Sequence, residues 1–181
     1  MVDNWPETER LILRRWTASD REPFAAMNAD PLVMKHFLSV MTKEQSDALV
    51  DRIEATFDAQ GWGLFALERK SDGAFLGFTG FAAGAKGTPV SEDIEIGWRI
   101  ARDFWRHGYA FEAARACLDW FWPRTRVARL VSYTSLTNLP SQALMQKLGF
   151  ARDASLDFDH PAIPKDNPVC RQVVTVSERH V

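Results

Sequence analysis

The sequence predicts a mixed α+β (α/β) domain built on a sheet, and three observations predict it. Residues 94–100 alternate side chains with the two-residue period of a strand and run through a polar turn into an amphipathic helix over 109–121. A further strand-like run, 127–135, follows that helix as in a crossover connection. A hairpin stands ahead of them, so strands and helices are mixed along the chain rather than segregated. At 181 residues the chain supports one domain, 1–181, with a sizeable core, and it has no internal repeat, low-complexity stretch or linker.

The elements follow in order. Leu11, Leu13 and Arg15 alternate with Ile12, Arg14 and Trp16, a first strand. Thr17 and Ser19 offer caps to a helix carrying Phe24, Met27 and Asn28, which Asp30-Pro31 breaks. Thr42-Lys43-Glu44-Gln45 has the form of a capping box. Leu49, Ile53 and Phe57 behind it recur every four residues, so 43–59 is an amphipathic helix ended by Gly61. Residues 63–69 and 74–81 are the two hairpin strands around Ser71-Asp72-Gly73, and 83–91 is a loop rich in small residues. A strand at 92–100 leads into the turn and the helix of 109–121, whose Glu112, Arg115 and Asp119 are spaced for ion pairs. A short helix at 140–148 stops at Gly149, and two strands are expected near 151–158 and 169–177, separated by a proline-rich loop.

Composition bounds the function. With 46% hydrophobic and 25% charged residues the chain is ordinary globular protein. A net charge of −2 argues against an electrostatically driven nucleic-acid binder, though Arg102, Arg106 and His107 could still form a local basic pocket. Cys117 and Cys170 are too few for a disulfide framework or a zinc cluster, and no metal is expected. The polar start MVDNWPETER is no secretory signal, and no stretch approaches a membrane span, so a cytoplasmic setting without membrane partners is expected.

Chemistry centres on Trp105-Arg106-His107-Gly108-Tyr109-Ala110. A strand, a glycine-bearing basic turn and a helix start together aim backbone N–H groups and a positive helix end at one anion. Gly108 lets the backbone approach a ligand, and Ala110 leaves the helix start uncrowded. The same residues also read as a plain strand-to-helix turn with solvated arginines. No G-x-G-x-x-G and no G-K-[ST] occurs, which excludes a dinucleotide fingerprint and a Walker loop.

Four stretches carry a resemblance: Glu7 to Asp20 (ETERLILRRWTASD), Glu95 to Ile100 (EIGWRI), Trp105 to Ala113 (WRHGYAFEA) and Asn138 to Phe150 (NLPSQALMQKLGF). In them the chain resembles the GNAT superfamily of acyl-CoA-dependent N-acetyltransferases, and within it the RimJ/RimL branch, whose named members acetylate the N-terminal amine of ribosomal proteins. The resemblance implies a mostly antiparallel sheet of six to seven strands with splayed central strands and about four flanking helices. It also implies acetyl-CoA as cosubstrate. The family's pyrophosphate loop reads Q/R-x-x-G-x-G/A; here Trp105 stands at the first position, and Gly108 and Ala110 match the small ones. Arg106, His107, Gly108, Tyr109 and Ala110 would then hold the pyrophosphate, with Trp98, Arg99, Ile100, Asn138 and Ser141 along the rest of the cofactor and Asn138 at the pantetheine arm.

Aminolysis of a thioester needs a neutral amine, an electrophilic carbonyl and a protonated leaving thiolate. An α-amine has a pKa near 7.7 to 8.0, so a modest base or a water chain suffices. Glu95 is the candidate base: it shares a strand face with Asp93, Gly97 and Arg99, and partial enclosure would raise its pKa. The plain alternative is a solvated carboxylate paired to Arg99. The backbone N–H near Trp98 is the candidate oxyanion donor, with Gly97 permitting a bulge. In the resembled branch the serine of N-x-x-S protonates the thiolate, which assigns that role to Ser141; as a residue of a first helical turn it also reads as a capping serine. Tyr109 falls in the loop and Tyr133 in a strand, so neither is preferred as the acid.

For the acceptor, Phe37 at the end of Met34–Phe37 and Trp62 before the hairpin are expected pocket walls. Asp157-Phe158-Asp159-His160-Pro161 resembles a segment that arches over the active site in related sequences, where His160 either positions the amine or is a solvated loop histidine, the second being favoured. Gln172 and Thr175 stand where the branch carries His and Tyr. The expected activity is acetyl transfer to a primary amine, of a peptide N-terminus or a small molecule, by direct attack in a ternary complex, in a monomer or homodimer. The alternatives are a non-catalytic acyl-CoA-binding sensor or scaffold and a generic nucleotide-binding domain.

Overall fold

Strand β1, Leu11–Arg14, forms one edge of an eight-stranded sheet in the computed structural model, which describes residues 5–179. The first four residues of the polar start, and residues 180–181, lie outside the described residues. After β1 come helices α1 (Arg21–Ala29) and α2 (Lys43–Gln60), strands β2 (Leu64–Arg69), β3 (Phe75–Ala83) and β4 (Ile94–Ile100), and helix α3 (Tyr109–Phe121). Strand β5 (Arg129–Ser135), helix α4 (Leu139–Lys147) and strands β6 (Ala151–Arg152), β7 (Phe158–Asp159) and β8 (Arg171–Glu178) complete it. The spatial order is β1-β2-β3-β4-β5-β8-β6, with β7 also on β8; every pairing is antiparallel except β4 with β5.

Local chemistry explains most boundaries. The Thr42 hydroxyl accepts from Gln45 N (3.3 Å) and Gln45 Oε1 accepts from Thr42 N (2.9 Å), the reciprocal cap read from sequence, and α2 ends where Gly61 turns left-handed at φ 71°. The single strand expected over 151–158 is instead two two-residue strands around a 3-10 turn. Asp153 Oδ1 accepts from Ser155 N at 3.0 Å, and this local bond pulls the backbone out of the ladder. The ion pairs expected within α3 also do not form. Glu112 accepts from Arg10 Nε (2.7 Å) and Arg115 Nη2 donates to Leu148 O (3.0 Å). An exposed intrahelical pair is worth only about 0.3–0.5 kcal/mol, so tertiary partners prevail.

The two faces of the sheet are covered differently. On the face of Ile96, α3 buries Ala113, Ala114, Cys117 and Phe121, and the Phe121 ring stacks on Phe81 at 4.0 Å. α2 packs Phe57 against Phe65 on the same face. Each fully buried phenylalanine there contributes about 1.5–3 kcal/mol through apolar area removed from water. On the other face, α1 sets Phe24 against Phe78 over the β1–β3 half, while Phe158 joins Val131, Val174 and Val90 over the β5–β8 half. Glu95, Gly97 and Arg99 lie between those two apolar covers. Among the described residues no helix is long and apolar enough to cross a membrane.

Candidate active site

The site begins where the sheet comes apart. β4 and β5 pair only at Ile94↔Leu130 and Glu95↔Val131. The Ser132 hydroxyl then donates to Ile96 O (2.9 Å), and beyond it the strands are unpaired. Backbone direction alternates along a strand, so the N–H groups of Trp98 and Ile100 face the same side as the Ile96 carbonyl, into this gap. The Trp98 amide, the expected oxyanion donor, is therefore on the side of the gap. It is there without the bulge expected at Gly97, since β3 and β4 pair in unbroken register through Gly80↔Gly97. The side chains of Ile100 and Trp98 pack into or against the core, which leaves their backbone as the part facing the gap.

At the far end of β4 lies the basic turn. The Trp105 indole N–H donates to Ile100 O at 2.7 Å, tying the turn to the strand and giving this tryptophan a fixed place where the family pattern has Gln or Arg. Arg106 adopts φ 63°, an uncommon conformation for a residue with a Cβ, and Gly108 follows at φ 82° as the N-cap of α3. No side chain among the described residues caps that helix. Among the described residues the N–H groups of 106–111 have no acceptor; Glu112 N is the first amide here with one, on Gly108 O at 3.1 Å. Successive free amides at a helix start form a concave, positive anion seat. A Cβ built on Gly108 would meet only Arg10 Nη2, at 3.6 Å, so conformation rather than crowding requires glycine there.

The side chains of the turn have other duties. Tyr109 is buried, with Arg10 over its ring at 4.5 Å. His107 stacks on Tyr109, and its carbonyl accepts from Arg10 Nη1 at 3.1 Å. Arg102, expected in a basic pocket, turns instead to Asp30 at 3.6 Å, because α1 ends beside it. Arg106 is exposed and, among the described residues, has no ion pair, so it is the side-chain cation this loop presents.

Glu95 occupies the point where the strands part. Burial of its carboxyl pushes its pKa up to about 7, against a hydrogen bond from Tyr133 that acts to lower it. The same enclosure and the nearby carboxylate raise Tyr133. Glu95 has no ion pair with Arg99, so the paired surface carboxylate is ruled out. Sequence reasoning passed over Tyr133 as a strand residue. Its signal was the alternation along β5: Val131 faces Glu95, and two residues on the side chain returns to the same face. Tyr133 packs on Phe158 (5.3 Å), which lies 6.5 Å from the His160 ring. His160 is half-buried rather than solvated, its pKa lowered by burial, and its Nδ1 accepts from Ala162 N at 3.2 Å.

α4 supplies the opposite lip. Asn138 is its N-cap: Oδ1 accepts from Ser141 N (3.4 Å) and Nδ2 donates to Thr134 Oγ1 (2.9 Å). Ser141 is half-buried in the first turn, and its hydroxyl has no partner among the described residues. A capping serine would spend that hydroxyl on the helix; here Asn138 caps and Ser141 Oγ is left over. Phe37 is 42% exposed and lies over the Arg99 guanidinium at 4.2 Å, on the Glu95 face. Trp62 goes the other way. It packs on Phe81 and Phe121 on the α3 face, so it belongs to the core and not beside Glu95. A cleft of about 390 Å³ lined by Lys35, His36, Phe37, Thr137, Asn167 and Val169 opens next to Phe37.

A family model described as an acetyltransferase (GNAT) domain matches residues 10–151. The uncharacterized protein YkkB of Bacillus subtilis (strain 168) is 30% identical over 143 residues, covering 78% of this chain and 82% of that protein. The uncharacterized N-acetyltransferase YoaA of the same organism is 28% identical over 152 residues, 83% of this chain and 84% of that one. The crystal structure of the acetyltransferase from Agrobacterium tumefaciens str. C58 superposes with a TM-score of 0.77 at 25% identity, covering 96% of this chain and 93% of that one. RimL, the ribosomal L7/L12 α-N-protein acetyltransferase solved with coenzyme A, shares the fold with a TM-score of 0.75 at 14% identity over 96% of each chain.

Proposed function

Since the chain belongs to the GNAT acetyltransferase family, we propose that it transfers an acetyl group from acetyl-CoA to a primary amine by direct attack in a ternary complex. The observation that carries this is the gap between β4 and β5, with a row of free amides at one end and, at the other, the Glu95 carboxyl whose pKa burial raises. The residues fit the cosubstrate. The amides of 106–111 and the Arg106 side chain would hold a diphosphate, and the strand edge at Trp98 and Ile100 would take an extended amide-bearing arm. Acetyl-CoA supplies the thioester carbonyl to be attacked. Glu95 takes the proton of the amine as the C–N bond forms, and Trp98 N–H receives the developing oxyanion. As the C–S bond breaks, Ser141 Oγ hydrogen-bonds the departing thiolate and relays it a proton, regaining one from solvent, to which Glu95 releases its own. The acceptor would meet Phe37, which lies over Arg99, and His160, next to Phe158 and Tyr133, since both stand on the Glu95 face. Neither cysteine takes part: Cys117 is fully buried with its pKa raised, and Cys170 is buried under its loop.

A thiol-release assay with acetyl-CoA and mixed peptide and small-amine acceptors tests the reading. Turnover on at least one acceptor is expected, together with thermal stabilisation by CoA and not by ATP or NAD. Tight CoA binding with no turnover on any acceptor would make the protein an acyl-CoA sensor or scaffold instead. Stabilisation by ATP or NAD alone would make it a nucleotide-binding domain.

A further inference from the structure

Arg99 is the most unusual charge in the molecule. Among the described residues it has no ion pair, although it sits between Phe37 (4.2 Å) and Phe78 (5.3 Å) and burial lowers its pKa to about 10, so it is charged at neutral pH. Its Nη1 donates to Asn28 Oδ1 at 2.5 Å, and Asn28 Nδ2 donates in turn to Ser46 Oγ at 2.9 Å. Asn28 and Ser46 are both fully buried, so the guanidinium is held by a fixed chain of bonds. Its Nε is buried and has no partner among the described residues. A buried unpaired donor is rare enough to require an explanation, and a guanidinium sandwiched between rings binds only through its in-plane edge.

The surroundings fit an anion. Phe37, which covers the guanidinium, also lines a cleft that carries Lys35 and His36 and, among the described residues, no carboxylate. Glu95 and Arg99 share one strand face, with Gly97 between them, and a Cβ placed on Gly97 would meet nothing but Glu95 Oε1, at 3.5 Å. Gly97 thus leaves room for an added group between the carboxyl and the guanidinium, whose Cα atoms are about 13 Å apart at strand spacing. We propose that Arg99 anchors a carboxylate carried by the acceptor, so that this enzyme acetylates amines bearing an acidic group rather than polycations. The proposal deepens the acetyl-transfer reading and rests on it. A free amino acid and a peptide with an acidic residue near its N-terminus present the same chemistry, and the test separates them.

The full chain is assayed for kcat/KM with acetyl-CoA on glycine, β-alanine and γ-aminobutyrate against their carboxamides, on Ser-Asp-Ala against Ser-Asn-Ala, and on spermidine. The same acceptors are titrated calorimetrically, a readout that does not need turnover. In either arm the carboxylate member is expected to exceed its amide by about 10- to 100-fold, the span of a hydrogen bond to a charged group. The arm that shows it names the source, and spermidine is expected to be the poorest acceptor. The Arg99 side chain lies with Phe37 on the Glu95 face, while its neighbours Trp98 and Ile100 present their amides along the gap. Arg99→Gln should therefore remove the preference and raise the acceptor KM more than the KM for acetyl-CoA, and Arg99→Lys should restore part of the preference. Thermal melts of both variants certify folding, and the wild-type preference stands even if a variant melts early. Equal binding and turnover of acid and amide by the wild type overturns the proposal, as does an Arg99→Gln defect confined to acetyl-CoA. Failure of the parent reading looks different, since CoA would then not stabilise the protein at all.

Discussion

Glu95→Gln, followed across pH, tests the centre of the site. The side chain rises from 4.5 to about 7 because burial disfavours its charge. At about 1.4 kcal/mol per pKa unit, that is on the order of 3 kcal/mol between the two protonation states. The sign follows from which state keeps the proton. Below 4.5 both folded and unfolded chains are protonated and nothing is lost. As pH rises toward 7 the unfolded chain releases its proton first, so the wild type loses stability, and above 7 the whole deficit persists. A glutamine never ionises. Its stability relative to wild type should therefore improve by roughly 3 kcal/mol between about pH 5 and pH 8, read from urea unfolding at each pH. Activity should move the other way. The base works only as a carboxylate, so kcat/KM of the wild type should climb through an inflection near 7, and Glu95→Gln should lack that limb. The acceptor's own amine adds an ascending limb, so the comparison is made on one acceptor. A stability difference flat across this range, or an inflection near the ordinary value of 4.5, would refute the reasoning.

Other consequences follow from the same contacts. Tyr133→Phe deletes the hydrogen bond that favours the Glu95 carboxylate, so the inflection in kcat/KM should shift up by about one unit with the fold intact; an unmoved inflection would separate Tyr133 from the base. Gly108→Val puts a β-branched residue at φ 82°, which should weaken CoA binding by about tenfold or more in titration calorimetry while the melt stays cooperative. Ser141→Ala should lower kcat more than it changes CoA affinity, and full activity would leave Ser141 no role beyond its helical turn. Asp20 is 2% exposed and accepts from Arg14 Nη1 (2.7 Å) and Nη2 (2.9 Å), so Asp20→Ala should cost on the order of 3 kcal/mol in chemical denaturation. Its pKa is lowered despite burial, through those bonds and that from Thr17, so its share of stability is present at neutral pH and is lost in acid.

Much of this protein was legible as sequence because the signals are local. The bounds of α3, 109–121, follow from a glycine before it and an apolar stripe recurring every three to four residues. α2 announces itself by a capping box and a terminal glycine a few residues from the groups they satisfy. The anion seat is local too, since Trp105 to Ala110 carry both its glycine and its helix start, and Asn138 and Ser141 are one turn apart.

What the tertiary structure alone decided are the pairings across the chain. Glu112 looked like a helix-surface charge until Arg10, 102 residues away, reached it, and Arg99 meets Asn28 across 71. Glu95 meets Tyr133 because α3 crosses over and sets a parallel register of only two residue pairs. Trp62 and Phe37, alike as candidate walls, fall on opposite faces of the sheet. A periodicity fixes which residues share a face of one element. Which face looks at which neighbour depends on how distant elements close on each other, and that is settled by packing the whole core at once, a constraint no single stretch of the chain contains.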